Sequence, residues 1–126
     1  MADFLSPEWM VLVEVEAAPI DPDVALRLAQ TVTGTPTGDV TFLIEIADGS
    51  LHVRVGPATS DVVVTLPYPA AVSLAIGEET VHDAVLRGDV KLSGDLAKLQ
   101  TATAGLVALR DAMGRVRDRT TFPGRP

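Results

Sequence analysis

Residues 80–96 constrain the fold more than any other part of the chain, because they carry the signals for a helix, a strand and a second helix in succession. Thr80 and Asp83 have the spacing of a capping box, so a short helix is predicted to begin there. Its buried side is predicted from the i, i+3 and i+4 positions, which are Val81, Ala84 and Val85. Gly88 suits the left-handed conformation that follows a helix, so the helix is expected to end just before it.

A strand and a second helix follow Gly88. Val90 and Leu92 alternate with polar residues, which is typical of a short half-buried strand. Gly94 is expected to turn the chain, and Asp95 is expected to cap the C-terminal helix by accepting bonds from its free N–H groups. These residues therefore predict a strand that connects two helices.

Upstream, alternating apolar residues predict further strands. Residues 40–46, 51–55 and 61–66 are predicted as strands, the first two from apolar side chains that share one face, and Asp48-Gly49 and Gly56-Pro57 separate the three with turn signals. Residues 24–34 also alternate, which favours a first strand, but the good helix formers at 25–30 leave a helix open. The apolar face of these strands must be covered by other elements.

The helices that are predicted to cover this face come from three parts of the chain. Ser6-Pro7-Glu8 predicts a helix over 7–17, with a strand over 11–15 as the alternative. Residues 69–76 predict a buried helix, and the long C-terminal helix carries an apolar stripe made of Leu96, Leu99, Leu106, Leu109, Met113 and Val116. The predicted fold class is α+β, with about five mostly antiparallel strands and helices packed on one face.

Chain length and charge limit the organisation and the partners. A chain of 126 residues is expected to form one domain, with a core over about 24–114 and a basic tail over 115–126, of which 120–126 is expected to fray. The net charge of −7 disfavours nucleic acid as a partner. Residues 110–126 hold five Arg against two Asp. This basic end is interpreted as solvated and favourable to a helix C-terminus, and a transient contact with a membrane surface is the alternative.

The sequence offers little chemistry for catalysis. His52 and His82 have no metal-ligand spacing, Ser73 lacks the glycine-flanked turn of a hydrolase nucleophile, and Glu78-Glu79 is typical of a solvated corner. Cysteine is absent, which removes thiolate chemistry and predicts a cytoplasmic location. We therefore expect neither an enzyme nor a bound metal or cofactor.

The order of glycines and acids is similar to the sterol carrier protein 2 family. The resemblance covers about 38–109 and rests on Asp48-Gly49, Gly56, the run Asp61-Val62-Val63-Val64-Thr65-Leu66, Gly77-Glu78, Ala84, Gly88, Val90, Lys91, Gly94 and Asp95. It implies an apolar tunnel between sheet and helices that holds a sterol, a fatty acid or a fatty acyl-CoA, with the C-terminal helix closing one side. Aromatic residues are only 4% of the chain, so a fatty acyl chain is favoured over a sterol.

Periodicity alone predicts an ordinary packed core, and the resemblance favours a ligand site in the same place. The predicted site residues are Phe42, Ile44, Ile46, Val72, Ile76, Val85, Leu106, Leu109 and Met113. The predicted function is noncatalytic binding or transfer of a hydrophobic small molecule. An accessory module that docks on a partner enzyme or forms a homodimer is the alternative from a different class.

Overall fold

A five-stranded sheet is the central element of the computed structural model, which describes residues 2–56 and 59–123. The elements in chain order are β1 Ala2–Asp3, α1 Pro7–Glu16, β2 Leu26–Thr35, β3 Gly38–Ala47, β4 Ser50–Val55, β5 Val62–Pro67, α2 Tyr68–Ala75, α3 Val81–Leu86, β6 Lys91–Gly94, α4 Leu96–Thr101, α5 Thr103–Val116, a 3-10 turn Arg117–Arg119, and β7 Thr120–Thr121. The strand order in the large sheet is β4-β3-β2-β5-β6. Among these described strands only the β2–β5 pair of the large sheet is parallel, so the predicted α+β fold with a mostly antiparallel sheet is confirmed.

The two faces of the sheet differ in chemistry because side chains alternate along each strand. The inner face is apolar and is made by Leu26, Leu28, Val32, Phe42, Ile44, Ile46, Leu51, Val53, Val62, Val64 and Leu66, all of them buried. The outer face carries polar pairs, among them Arg27 with Glu45 at 3.4 Å and Thr31 with Thr41 at 3.1 Å. The helices cover the inner face, as the sequence predicts.

The helix caps form as the local sequence predicts. Ser6 Oγ accepts a bond from the backbone N–H of Trp9, so residues 7–16 are helical and the alternative strand is excluded. Thr80 and Asp83 exchange both bonds of a capping box, and Asp95 Oδ1 accepts from the backbone N–H of Lys98. Each cap supplies acceptors to N–H groups that the first helical turn leaves unpaired.

Two predictions about helix faces are wrong. The C-terminal helix divides at Ala102, whose φ of −99° and ψ of 20° interrupt it, so α4 and α5 do not share one continuous stripe. Leu96 is consequently 45% exposed. In α3, Ala84 is fully buried while Val85 is 38% exposed, because successive residues point in directions that differ by about 100° around a helix.

The two chain ends pack against each other, which differs from the expected frayed C-terminus. β1 pairs in parallel with β7, and Thr120 is buried. Phe122 packs against Phe4 with ring centroids 5.1 Å apart, and Tyr68 Oη donates to the Pro123 carbonyl oxygen at 2.7 Å. Residues 124–126, which the prediction also included, lie outside the described part of the chain.

Three arginines at the basic end bond to other elements of the fold. Arg115 donates to the carbonyl oxygen of Glu16 at the end of α1, and Arg117 donates to that of Ile76 at the end of α2. Arg119 pairs with the Glu16 carboxylate at 2.9 Å. Arg115 and Arg117 thereby stabilise carbonyl groups at helix C-termini, as expected from the helix dipole. Contact of this basic end with a membrane surface stays a prediction.

Truncation after Asp118 is expected to destabilise the protein, whereas the sequence suggested a dispensable tail. The deletion removes β7, the Phe4–Phe122 contact and the bond from Tyr68, which together should lower the free energy of unfolding by about 2 kcal/mol or more. Urea denaturation measures this loss, and truncation after Pro123 is the matched control. Equal stability of the two truncated proteins would show that the terminal pairing contributes nothing.

Candidate functional site

A cavity of about 370 Å³ lies between the inner face of the sheet and the helices. Its sheet wall comes from β2, β3, β5 and β6, and its opposite wall comes from α2, α4 and α5. The volume falls within the range of about 300–1,000 Å³ that is typical of small-molecule sites. A core packed to ordinary density would leave few voids larger than a water molecule, so this space is a candidate binding site.

Four of the nine predicted site residues border this cavity. Phe42 contributes to the sheet wall, and Leu106, Leu109 and Met113 contribute from one face of α5. The three α5 residues follow the i, i+3 and i+7 spacing, which explains why helical periodicity could find them.

The other five predicted site residues lie elsewhere. Ile44 and Ile46 are buried on the inner sheet face, where Gly105 brings α5 so close that a Cβ at that glycine would overlap the end of the Ile46 side chain. Val72 and Ile76 belong to α2 and its C-terminal cap, and neither borders the cavity. Val85 also lies away from it and is partly exposed. Whether a ligand touches any of the nine stays a prediction.

The segment before and within α1 supplies a wall that the sequence does not predict. Phe4, Leu5 and Trp9 all border the cavity. Leu5 has a φ of 68°, and both Leu5 and its neighbour Phe4 are buried. The available signal was the density of large apolar residues in this segment, since Phe4, Leu5 and Trp9 stand close together near the N-terminus.

One end of the cavity is aromatic. Trp9 lies edge-on to Phe4, with ring centroids 5.0 Å apart, and to Phe42 at 6.5 Å. Phe4 also contacts Tyr68 and Phe122. All five aromatic residues of the chain therefore form one group of contacting rings. Tertiary packing thus gathers rings that are scattered along the sequence at one end of the cavity.

The remaining lining is mostly aliphatic and extends to the surface. Aliphatic side chains come from the sheet, the residue before β6, α2, α4 and α5, and they are Leu28, Val64, Leu66, Ala71, Leu74, Val90, Leu92, Leu99 and Val107. Val107 is 50% exposed, and Thr80, Thr103 and Arg110 beside the cavity are exposed as well. These four residues mark the rim where the cavity reaches solvent.

Five polar residues border the cavity, and most of them are already engaged. Glu79 is largely buried and forms a two-point ion pair with Arg87, with one N–O distance of 2.9 Å. Arg87 also binds Asp89, and the two carboxylates raise the pKa of its guanidinium. Thr80 Oγ1 accepts from Asp83, and Thr103 Oγ1 donates to the Gln100 carbonyl oxygen.

Arg110 and Gln30 are the other two polar residues of the lining. Arg110 is exposed at the rim, and within residues 2–56 and 59–123 no carboxylate lies at ion-pair distance from it. Gln30 lies on β2 in the sheet wall, opposite Phe42 on one side and Val64 on the other. The lining therefore combines a long apolar surface, one cation at the rim and one neutral amide inside.

Of the residues weighed as catalytic candidates, Glu79 borders the cavity, but its carboxylate is already paired with Arg87. His52 Nδ1 lies 4.0 Å from Glu14 Oε1 at the outside of β4, and the side chain of His82 lies outside the described part of the chain. Ser73 and Glu78 do not border the cavity either. Within residues 2–56 and 59–123, among the side chains that the structure describes, no group of three or more His, Cys, Asp or Glu could hold a metal ion. In the same residues, no helix combines the length and hydrophobicity of a membrane span.

Solved structures with the same fold are numerous. A sterol carrier protein 2 crystal structure is 17% identical and has a TM-score of 0.68, with 89% of this chain and 98% of that chain covered. A conserved hypothetical protein from Thermus thermophilus is 15% identical, with a TM-score of 0.64 over 98% and 94% of the two chains. The palmitated SCP2L2 protein of Aedes aegypti is 23% identical, with a TM-score of 0.58 over 81% and 94%.

The sequence comparison agrees with these folds. No curated protein matches the chain significantly. A family model does match residues 22–106 of this chain. That range includes the five-stranded sheet, α2, α3, α4 and the start of α5. The aromatic wall from Phe4, Leu5 and Trp9 lies outside that range. Because the match spans more than half of the chain, this protein belongs to the SCP-2 sterol transfer family.

Proposed function

We propose that this protein binds a lipid noncatalytically and that the apolar chain of the lipid occupies the cavity. The single observation that carries the proposal is the cavity itself, which joins an aromatic end to a long aliphatic wall and opens beside a cation. Family membership supports lipid binding or transfer as the general activity. The finer proposal is that the ligand is a fatty acid or a fatty acyl thioester.

The energetics of the wall favour a long methylene chain. Each buried CH₂ group stabilises a complex by about 0.8 kcal/mol, and aliphatic side chains supply such contacts without directional chemistry. A chain with several rotatable bonds can contact both the aliphatic wall and the ring cluster of Phe4, Trp9 and Phe42. A palmitated protein is among the similar folds, which makes a saturated fatty acid the natural first probe.

The rim suits an anionic headgroup. Arg110 projects from α5 beside Thr103 and Val107, and a carboxylate or a phosphate near it would gain a charge-assisted hydrogen bond. Glu79 does not cancel this charge directly, because its carboxylate is paired with Arg87. In this arrangement the headgroup stays in solvent at the rim while the chain enters the cavity.

Trp9 allows a direct test because it is the single tryptophan of the chain and borders the cavity. Titration with palmitic acid is expected to change the Trp9 emission along a saturable curve that fits one-to-one binding. A short-chain acid with the same carboxylate should leave the Trp9 emission unchanged. Native mass spectrometry of the purified protein should show a copurified lipid. A ligand-free dimer that leaves Trp9 unchanged in the titration would contradict lipid binding and support the docking or dimerisation module.

A further inference from the structure

Gln30 interrupts an otherwise apolar strand face. On β2 it lies between Leu28 and Val32, which are 3% and 1% exposed. Its cross-strand partners, Phe42 and Val64, are buried too. Gln30 therefore presents a neutral amide from the middle of the hydrophobic sheet wall into the cavity.

This amide has no partner among the residues that the structure describes. Of the other four polar residues of the lining, Glu79, Thr80 and Thr103 have the bonds given above and Arg110 lies at the rim. No described donor or acceptor pairs with the Gln30 side chain. None of its nitrogen or oxygen atoms is sealed off without a partner, so they border the open space of the cavity. An amide carries two donors and an acceptor with two lone pairs, and all of them are available there.

A molecule that occupies the cavity either forms hydrogen bonds with the Gln30 amide or leaves it without a hydrogen-bond partner. A purely hydrocarbon chain that displaces water from Gln30 would leave a buried polar group unpaired, and such groups are costly. A ligand with a hydroxyl or carbonyl group at the same depth would replace the water with a direct hydrogen bond. Discrimination through a missing hydrogen bond at a polar site is stronger than discrimination through shape alone.

A charged group is a poorer match for this position. Gln30 is neutral, and the charged residues that border the cavity are Glu79, which Arg87 already pairs, and Arg110, which lies at the rim. A carboxylate beside Gln30 would be desolvated without a counter-ion, so the anionic end of a ligand belongs at Arg110.

We propose that Gln30 is a specificity-determining residue that selects lipids with a hydroxyl or carbonyl group part-way along the apolar body. This inference rests on the proposed lipid binding. It makes the preferred ligand an oxygenated lipid, with its neutral oxygen at the sheet wall and its headgroup at the rim.

The test compares stearic acid with a set of hydroxystearic acids that differ only in the position of the hydroxyl group. Trp9 emission reports the affinity of each for the wild-type protein. At the matching position the hydroxy acid is expected to bind about tenfold more tightly than stearic acid, a difference of about 1.4 kcal/mol. In Gln30→Leu the ratio of the two affinities should fall to about one, because the leucine favours the hydrocarbon chain and offers no hydrogen bond.

Two further variants make the comparison decisive. Gln30→Met keeps the length of the side chain without its amide and should behave as Gln30→Leu does. Gln100→Leu is the matched control, because Gln100 is the other glutamine of the chain and its exposed side chain lies outside the cavity lining, so the wild-type ratio should be preserved. Since the ratio is taken within each protein, a general loss of affinity does not imitate the effect.

The outcomes separate this inference from the function on which it rests. Tight binding of every acid by the wild type with a ratio near one at all hydroxyl positions would overturn the role of Gln30 and leave lipid binding intact. A tenfold preference for the hydroxy acid that persists in both Gln30 variants would also overturn the role of Gln30 and leave lipid binding intact. Failure of all the acids to alter Trp9 emission in the folded wild type would overturn both.

Discussion

Replacing Gly94 by alanine is expected to lower the free energy of unfolding by about 3 kcal/mol, one of the two largest effects that we predict. Gly94 has a φ of 105°, which side-chain-bearing residues rarely adopt and which costs them about 1–2 kcal/mol. A Cβ there would also overlap the carbonyl oxygen of Asp61 and approach the Val62 Cα to 3.1 Å. Because both obstacles are backbone atoms, the clash cannot be relieved by a rotamer change, and it adds about 1–3 kcal/mol.

The clash matters because Asp61 connects three parts of the fold. Its carboxylate accepts from the backbone N–H of Arg27 at 2.9 Å and pairs with Lys98 at 3.0 Å, and its carbonyl oxygen accepts from the backbone N–H of Asp95. The bonds to Arg27 and Lys98 hold the pKa of the Asp61 carboxyl below its ordinary value. A displaced Asp61 would weaken the start of β2 and the cap of α4 together.

Gly88→Ala is the matched control for this prediction. Gly88 has a φ of 82°, but an added Cβ would meet no atom within 4 Å, so only the backbone cost of about 1–2 kcal/mol is expected. Urea denaturation of both variants gives the two losses under the same conditions. Equal losses would show that the close approach of Gly94 to Asp61 and Val62 does not contribute.

Leu106→Trp is expected to abolish binding of a fluorescent fatty-acid analogue, with a loss of affinity of more than about tenfold, while stability changes by less than about 1 kcal/mol. Leu106 projects from α5 into the cavity, so the indole would enter space that is otherwise open to a ligand. The added ring and an acyl chain cannot share that volume. In a tightly packed interior the same substitution would cost about 1–3 kcal/mol through displaced rotamers.

The experiment pairs thermal melting without ligand with titration of the analogue. Ala112→Leu is the control, since Ala112 is fully buried on the same helix and does not border the cavity. This enlargement should destabilise the protein by about 1–3 kcal/mol and leave the analogue affinity of the folded protein nearly unchanged. A Leu106→Trp protein that melts far below the wild type, when the wild type itself never bound the analogue, would identify the cavity as ordinary core.

Much of the fold follows from short-range patterns in the sequence. The capping residues Ser6, Thr80 and Asp95 and the turn glycines Gly88 and Gly94 act within a few residues, so their effects could be predicted and are confirmed. Strand alternation likewise identified the inner sheet face. The division of the C-terminal helix at Ala102 was missed, because no Gly or Pro marks it and the stripe of leucines appears continuous in the sequence.

The site was only partly predictable because it depends on contacts between distant segments. Helical spacing identified Leu106, Leu109 and Met113, but no spacing rule relates them to Trp9, which reaches the cavity from the other end of the chain. Gln30 had a signal in the sequence, since it is the polar residue in the apolar series Leu26, Leu28, Val32. A polar residue in that series can be interpreted as part of a binding site only once the strand is known to face a cavity.

The sequence by itself determined which segments become helices or strands and which strand face is apolar, because caps, turn glycines and side-chain alternation act over a few residues. Only the tertiary structure decided that β1 pairs with β7, how closely α5 approaches Ile46, and therefore how much space stays open. Those outcomes depend on the summed packing of side chains far apart in the chain, such as Phe4 with Phe122 and Gly105 with Ile46. Local patterns do not encode the volume left over when such contacts are made, and in this protein that volume is the candidate site.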